Sequence, residues 1–172
     1  KEQLEQTQKS LSGYLEQKRD IFPRFYFSSD PDLLQILSQS SDPHSIQDNL
    51  YQIFDSVTKV TFDVKQENKI LTLHSSEGES VPLLDPVIAT GNVEIWLQKL
   101  EEEMKNTMRY IIKNSSEDCR TLPLEDLINK YPAQVALLAI QFIWTIGCET
   151  ALLEAKGGDR KAMGENLKEV ER

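Results

Sequence analysis

The stretch Gly157-Gly158-Asp159-Arg160-Lys161 is the place where this chain comes nearest to a phosphate cradle, combining glycine with basic side chains. A phosphate-binding loop needs the spacing G-x-x-x-x-G-K followed by Ser or Thr, because backbone N–H groups surround the phosphates while the lysine reaches the terminal ones. Here the spacing is wrong and the hydroxyl is missing, so the stretch reads as a flexible helix end. The two histidines, His44 and His74, are not accompanied by a ligand set of metal-binding spacing, which leaves them surface or hydrogen-bonding roles. Cys119 and Cys148 lie far apart without metal spacing and read as free thiols of a reducing compartment. Acid–base work needs two carboxylates in divergent environments within a cleft. Asp30 is better explained as a helix cap, and Glu101, Glu102 and Glu103 as a solvated helix face. Asn114-Ser115-Ser116 has the form of a glycosylation acceptor but no secretory context gives it meaning.

The elements that must position such groups fit a single domain. A chain of 172 residues can bury about 70% of its unfolded surface. Its formal net charge of -9 argues against a nucleic-acid surface, which depends on clustered Lys and Arg. No apolar run approaches the roughly 18 residues that span a bilayer, so no membrane role is expected. The sequence opens on Lys1 and closes on Glu169-Val170-Glu171-Arg172 within a charged helical pattern, which reads as an internal piece of a longer polypeptide.

Period-3.6 patterns predict helices over about 2–20, 31–39, 43–57, 92–113, 123–130 and 133–155. The second is expected to end between Ser38 and Ser41. Alternation and β-branched content predict strands over about 59–64, 69–75 and 80–84, a small antiparallel meander set among helices. Pro82 cannot donate to a ladder, which makes the third strand an edge. The fold class is therefore mainly α with a small β-meander (α+β), a helical-bundle segment. Residues 114–121 read as a polar loop, and the helix from Ala133 to Leu153, apolar almost all round, as one buried on most sides.

The densest information lies in Ile21-Phe22-Pro23-Arg24-Phe25-Tyr26-Phe27, followed by Ser28-Ser29-Asp30-Pro31-Asp32 and the apolar run Leu33, Leu34, Ile36, Leu37. Aromatic anchors bury much area with little loss of rotamer freedom, so the ordinary role of this cluster is core. Its spelling resembles the linker region of dynein heavy chains, ATP-driven microtubule motors. Further blocks resemble that family in the same order: Ser75-Ser76-Glu77-Gly78-Glu79, then Gly91-Asn92-Val93-Glu94-Ile95-Trp96-Leu97, then Tyr131-Pro132-Ala133-Gln134-Val135 through Trp144-Thr145. Together they cover roughly residues 10–155, in wording closer to axonemal, outer-arm-like chains than to the cytoplasmic transport motor. The chain past Gly157 does not resemble the family closely.

The resemblance implies a force-transmitting segment without catalysis of its own. In that family the linker lies across the ring of AAA+ ATPase modules of the same heavy chain and straightens from a bent state to give the power stroke. ATP and Mg belong to the ring, and this segment itself is expected to hold no cofactor. The implied partners are the ring, microtubules, and dynein intermediate and light chains; the implied location is the cytoplasm and cytoskeleton, within the axoneme of a cilium or flagellum. The structural and interaction residues are Phe22, Pro23, Phe25, Tyr26, Phe27, Trp96, Tyr131 and Trp144. Asp85-Pro86, Gly91-Asn92 and 114–121 are the candidate pliable joints. One alternative is a docking module for other subunits or neighbouring motors, working through exposed acids such as Glu101 and Glu103. Another is a small enzyme of unrecognised type.

Overall fold

A computed structural model describes residues 2–39 and 42–170 of the chain. The residues gather into two compact units, Lys1–Thr107 and Met108–Arg172.

The first unit opens with α1 (Glu2–Ile21), whose last turn leads through Phe22 into a 3-10 helix, Pro23–Phe27. The helix α2 (Asp30–Ser38) follows; its expected end falls partly on Ser40 and Ser41, which lie outside the described residues. Its N-terminus is capped by Ser29, whose Oγ accepts from the Asp32 amide. Asp30 is not the cap: it is the first helical residue and pairs with Arg19 at 2.7 Å. An acid in the first turn is favoured by the helix dipole whether or not it caps.

The helix predicted over 43–57 does not form as one helix. Pro43–Asn49 is 3-10, Leu50–Ile53 is a single α turn (α3), and Phe54 is already extended. Local hydrogen bonds compete with the α-ladder there. The Asp42 carboxylate accepts from the His44 amide at 2.9 Å, and the Ser45 hydroxyl donates to the Asp42 carbonyl at 2.7 Å. The apolar positions are nonetheless inward: Ile46, Leu50, Ile53, Phe54 and Val57 are all buried.

The meander forms as expected, in the order β1 (Lys59–Phe62), β2 (Lys69–His74), β3 (Ser80–Ile88), antiparallel throughout. Gly78, at φ 89°, provides the turn before β3. β3 runs past the predicted end and includes Asp85-Pro86. It is an edge strand, and α4 (Val93–Asp118) covers part of that edge. The Leu84 amide donates to Thr107 Oγ1 at 3.0 Å and the Asp85 amide to Glu103 Oε1 at 2.9 Å, one way a sheet edge is kept from pairing with other chains.

α4 also runs past its predicted end, through most of the expected loop 114–121. The Ser115 and Ser116 hydroxyls donate back to the Ile112 and Lys113 carbonyls at 2.9 and 2.7 Å, which lets polar residues continue a helix without leaving their hydroxyls unpaired. The second unit continues with α5 (Leu124–Lys130), α6 (Ala133–Lys156) and α7 (Ala162–Val170). Gly157 ends α6, and Gly158 at φ 112° lets the Asp159 amide reach back to the Glu154 carbonyl at 3.1 Å.

One expectation about α6 fails. Val135, Ala136, Ala139 and Ala151 are buried, but Leu137, Leu138, Phe142, Ile143, Trp144, Ile146, Leu152 and Leu153 are exposed. Although Gln141 and Glu149 break its apolar run, α6 is by length and composition alone long and apolar enough to cross a membrane.

Candidate functional site

The aromatic block divides into two faces because it is 3-10 rather than α. With three residues per turn, side chains three apart eclipse, so Phe22, Phe25 and Ser28 are buried while Tyr26 and Phe27 point to solvent, Phe27 being 76% exposed. Pro23 opens the 3-10 helix from its exposed side, where its missing N–H leaves no donor unpaired. The expectation of a uniformly buried cluster is thus half right.

Phe22 and Phe25 meet edge to face with centroids 5.0 Å apart, and Phe54 lies 6.3 Å from Phe22. Both join the first unit's core with Leu15, Leu33, Leu97 and Trp96. Trp96 is positioned by the start of α4, where the Asn92 carbonyl accepts from the Ile95 and Trp96 amides.

Charged side chains tie this block to α4. Lys18, near the end of α1, forms an ion pair with Glu94, whose residue is only 1% exposed. Arg24 lies 5.1 Å from the Phe54 ring centroid, donates to the Ile53 carbonyl at 3.2 Å and pairs with Glu101 at 3.3 Å. Glu101 is therefore not part of a free acidic face. Burial works to raise its pKa, but hydrogen bonds from Lys105 and Arg24 prevail and hold its carboxyl below the usual range. Glu103 is likewise engaged, at the β3 edge.

On the outer face the Tyr26 hydroxyl donates to Glu16 at 2.6 Å and lies 3.5 Å from Asp20. The hydrogen bond to Glu16 is the main reason its pKa is pushed up to about 12. His74 sits among hydroxyls on the meander, 2.6 Å from Thr61 Oγ1 and 2.8 Å from Ser80 Oγ, and so links all three strands. His44 packs on Phe62 with centroids 4.2 Å apart.

Tyr131 and Trp144 belong to the second unit. Tyr131 is half-buried; its hydroxyl and Lys130 Nζ both meet Asp118 Oδ2 at 2.5 Å. Lys130 first, then Tyr131, hold the Asp118 carboxyl below its usual range, while burial and the bond to Asp118 push the Tyr131 hydroxyl up. Trp144 stands exposed on α6. Among the described residues no group of three or more His, Cys, Asp or Glu could hold a metal ion.

Fold and site together describe a mainly helical framework in which a buried aromatic anchor, one buried ion pair and one partly exposed ion pair tie α1 and the 3-10 segment to α4. Residues 1–115 match the family profile of the dynein heavy chain, N-terminal region 2, and the chain belongs to the dynein heavy chain family. It is 46% identical over 94% of its length to dynein axonemal heavy chain 5 of Rattus norvegicus, and 44% identical over 99% to the dynein gamma chain, flagellar outer arm, of Chlamydomonas reinhardtii. Cytoplasmic dynein 2 heavy chain 1 of Tripneustes gratilla is 43% identical over 88%. The chain spans 5%, 4% and 4% of the lengths of these three relatives.

Proposed function

We propose that this chain is a force-transmitting segment of the linker of an axonemal dynein heavy chain. The parent would be a microtubule-motor ATPase of cilia or flagella, with nucleotide bound by its ring and this segment bending and straightening over that ring. The observation that carries the reading is the cross-tying of α1 and the aromatic block to α4 through Lys18–Glu94 and Arg24–Glu101. A lever must resist bending within each block, and the close-packed core beneath these pairs, with Phe22, Phe25, Trp96 and Leu97, does not shear easily.

Of the candidate joints, Asp85-Pro86 is held inside β3 and most of 114–121 is helix, which leaves Gly91-Asn92 and the turn at 119–121. The test is a distance measured in the complete heavy chain between a probe on α1 and one on the ring, followed through the ATP cycle. The reading expects a nucleotide-dependent change; a distance constant while ATP is being hydrolysed would overturn it.

The docking alternative loses its original surface, because Glu101 and Glu103 are already committed to partners within the unit. Intermediate and light chains are proposed as partners of the parent as a whole.

A further inference from the structure

We propose that Ser76, at the tip of the β2–β3 hairpin, is a phosphorylation site, the acceptor for a serine/threonine kinase that reads carboxylates on the C-terminal side of the hydroxyl. Such a kinase recognises its substrate by pairing its own Lys and Arg side chains with acids close after the acceptor. Four hydroxyl residues of this chain, Ser29, Ser45, Ser76 and Ser115, have an acid three positions on. The structure separates them. The Ser29 hydroxyl caps α2 and donates to Asp32, the acid that a kinase would have to read. Ser45 is half-buried and donates to the carbonyls of Gln39 and Asp42 at 3.1 and 2.7 Å. Ser115 is 1% exposed and bonds the Ile112 carbonyl. Ser76 is exposed, and its hydroxyl has no hydrogen bond among the described residues.

The hairpin presents this serine together with its acids. The Ser75 amide donates to the Glu79 carbonyl at 3.0 Å and the Ser75 hydroxyl accepts from the Glu79 amide at 3.1 Å, which closes the turn at its base. Gly78, at φ 89°, reverses the chain there. Ser76 and Glu77 are left in solvent and Glu79 is half-buried where the turn meets β3, so acids stand at the first and third positions after the acceptor. In the reaction Ser76 Oγ attacks the γ-phosphorus of a magnesium-bound nucleoside triphosphate, the bond from that phosphorus to the departing diphosphate breaks, and the hydroxyl proton passes to the kinase's base. Nothing in the core has to move. The phosphate adds a charge of about -1.5 to -2 beside Glu77, which makes the tip a ligand for clustered Arg or Lys side chains.

The test incubates the complete heavy chain, first treated with a phosphatase, with magnesium ATP and a purified acid-directed serine/threonine kinase, and locates phosphate by mass spectrometry of its peptides. Ser76 is expected to be phosphorylated while Ser29, Ser45 and Ser115 are not. Glu79→Gln is expected to slow the labelling of Ser76 about tenfold, the loss of one charge-assisted contact. A synthetic peptide spanning residues 70–86 serves as the reference substrate. Absence of phosphate from Ser76 in the heavy chain overturns the proposal in either case: with the peptide labelled the hairpin is inaccessible, and with the peptide unlabelled its acids are not read. So does labelling of Ser29 at the same rate, or a Glu79→Gln chain labelled as fast as the unaltered one. None of these outcomes depends on whether the segment moves with nucleotide, so the lever reading stands or falls separately.

Discussion

Lys18 and Glu94 form the pair with most at stake among individual residues, because a carboxylate only 1% exposed has no water to fall back on. Replacing Lys18 by Met strands that charge, and the expected cost is about 3–5 kcal/mol, read as a lower urea midpoint. Replacing both partners with apolar residues of similar size is expected to cost clearly less than the single change. Phe22→Ala opens a cavity where two aromatic neighbours meet and is expected to cost about 3–5 kcal/mol in the same measurement. At Asp118 the folded-state carboxyl is held low by Lys130 and Tyr131. Its contribution is therefore present above the ordinary aspartate value of about 4 and lost as pH falls through the lower folded value. Thermal unfolding followed over that acidic window should show a fall in Tm that Asp118→Asn flattens; an unchanged slope would mean that the cluster contributes nothing. The aromatic block was visible in sequence as composition, but its division into Phe22 and Phe25 inside and Tyr26 and Phe27 outside depends on a 3-10 period that an α-helical reading cannot give. The ion pairs were invisible because Lys18 and Glu94 are 76 positions apart.

Elements were legible where one signal dominated. Pro82 marked an edge strand and Gly157 a helix stop, since each removes a backbone option regardless of context. The predicted 43–57 helix failed where Ser45 and Asp42 offered the backbone other partners, and the predicted loop at 114–121 failed where serines bonded to the turn before. Polarity alone did not separate those two cases. At this scale Ser29→Ala removes the cap of α2 and is expected to cost about 1 kcal/mol, measured by denaturant unfolding. Gly91, at φ 79°, turns the chain from β3 into α4. Gly91→Val forces a β-branched side chain into the left-handed region and is expected to cost about 1–2 kcal/mol or more by the same measurement. α6 was judged from its overall apolarity, which says that such a helix must be covered but not by what.

Over the whole molecule, membership in the dynein heavy chain family and the cross-tied first unit support one account: this segment carries force generated by a nucleotide-driven ring. On that account its stiffness would reside in contacts such as Lys18–Glu94 and Phe22–Phe25, and Gly91-Asn92 and 119–121 remain the proposed places of flexure. The most direct measurement places one fluorophore on Gln8 in α1 and another on the ring of the complete heavy chain, and records their energy transfer while ATP binds and is hydrolysed. The account predicts two transfer levels that alternate with nucleotide state. A single level, unchanged through sustained hydrolysis, would contradict it.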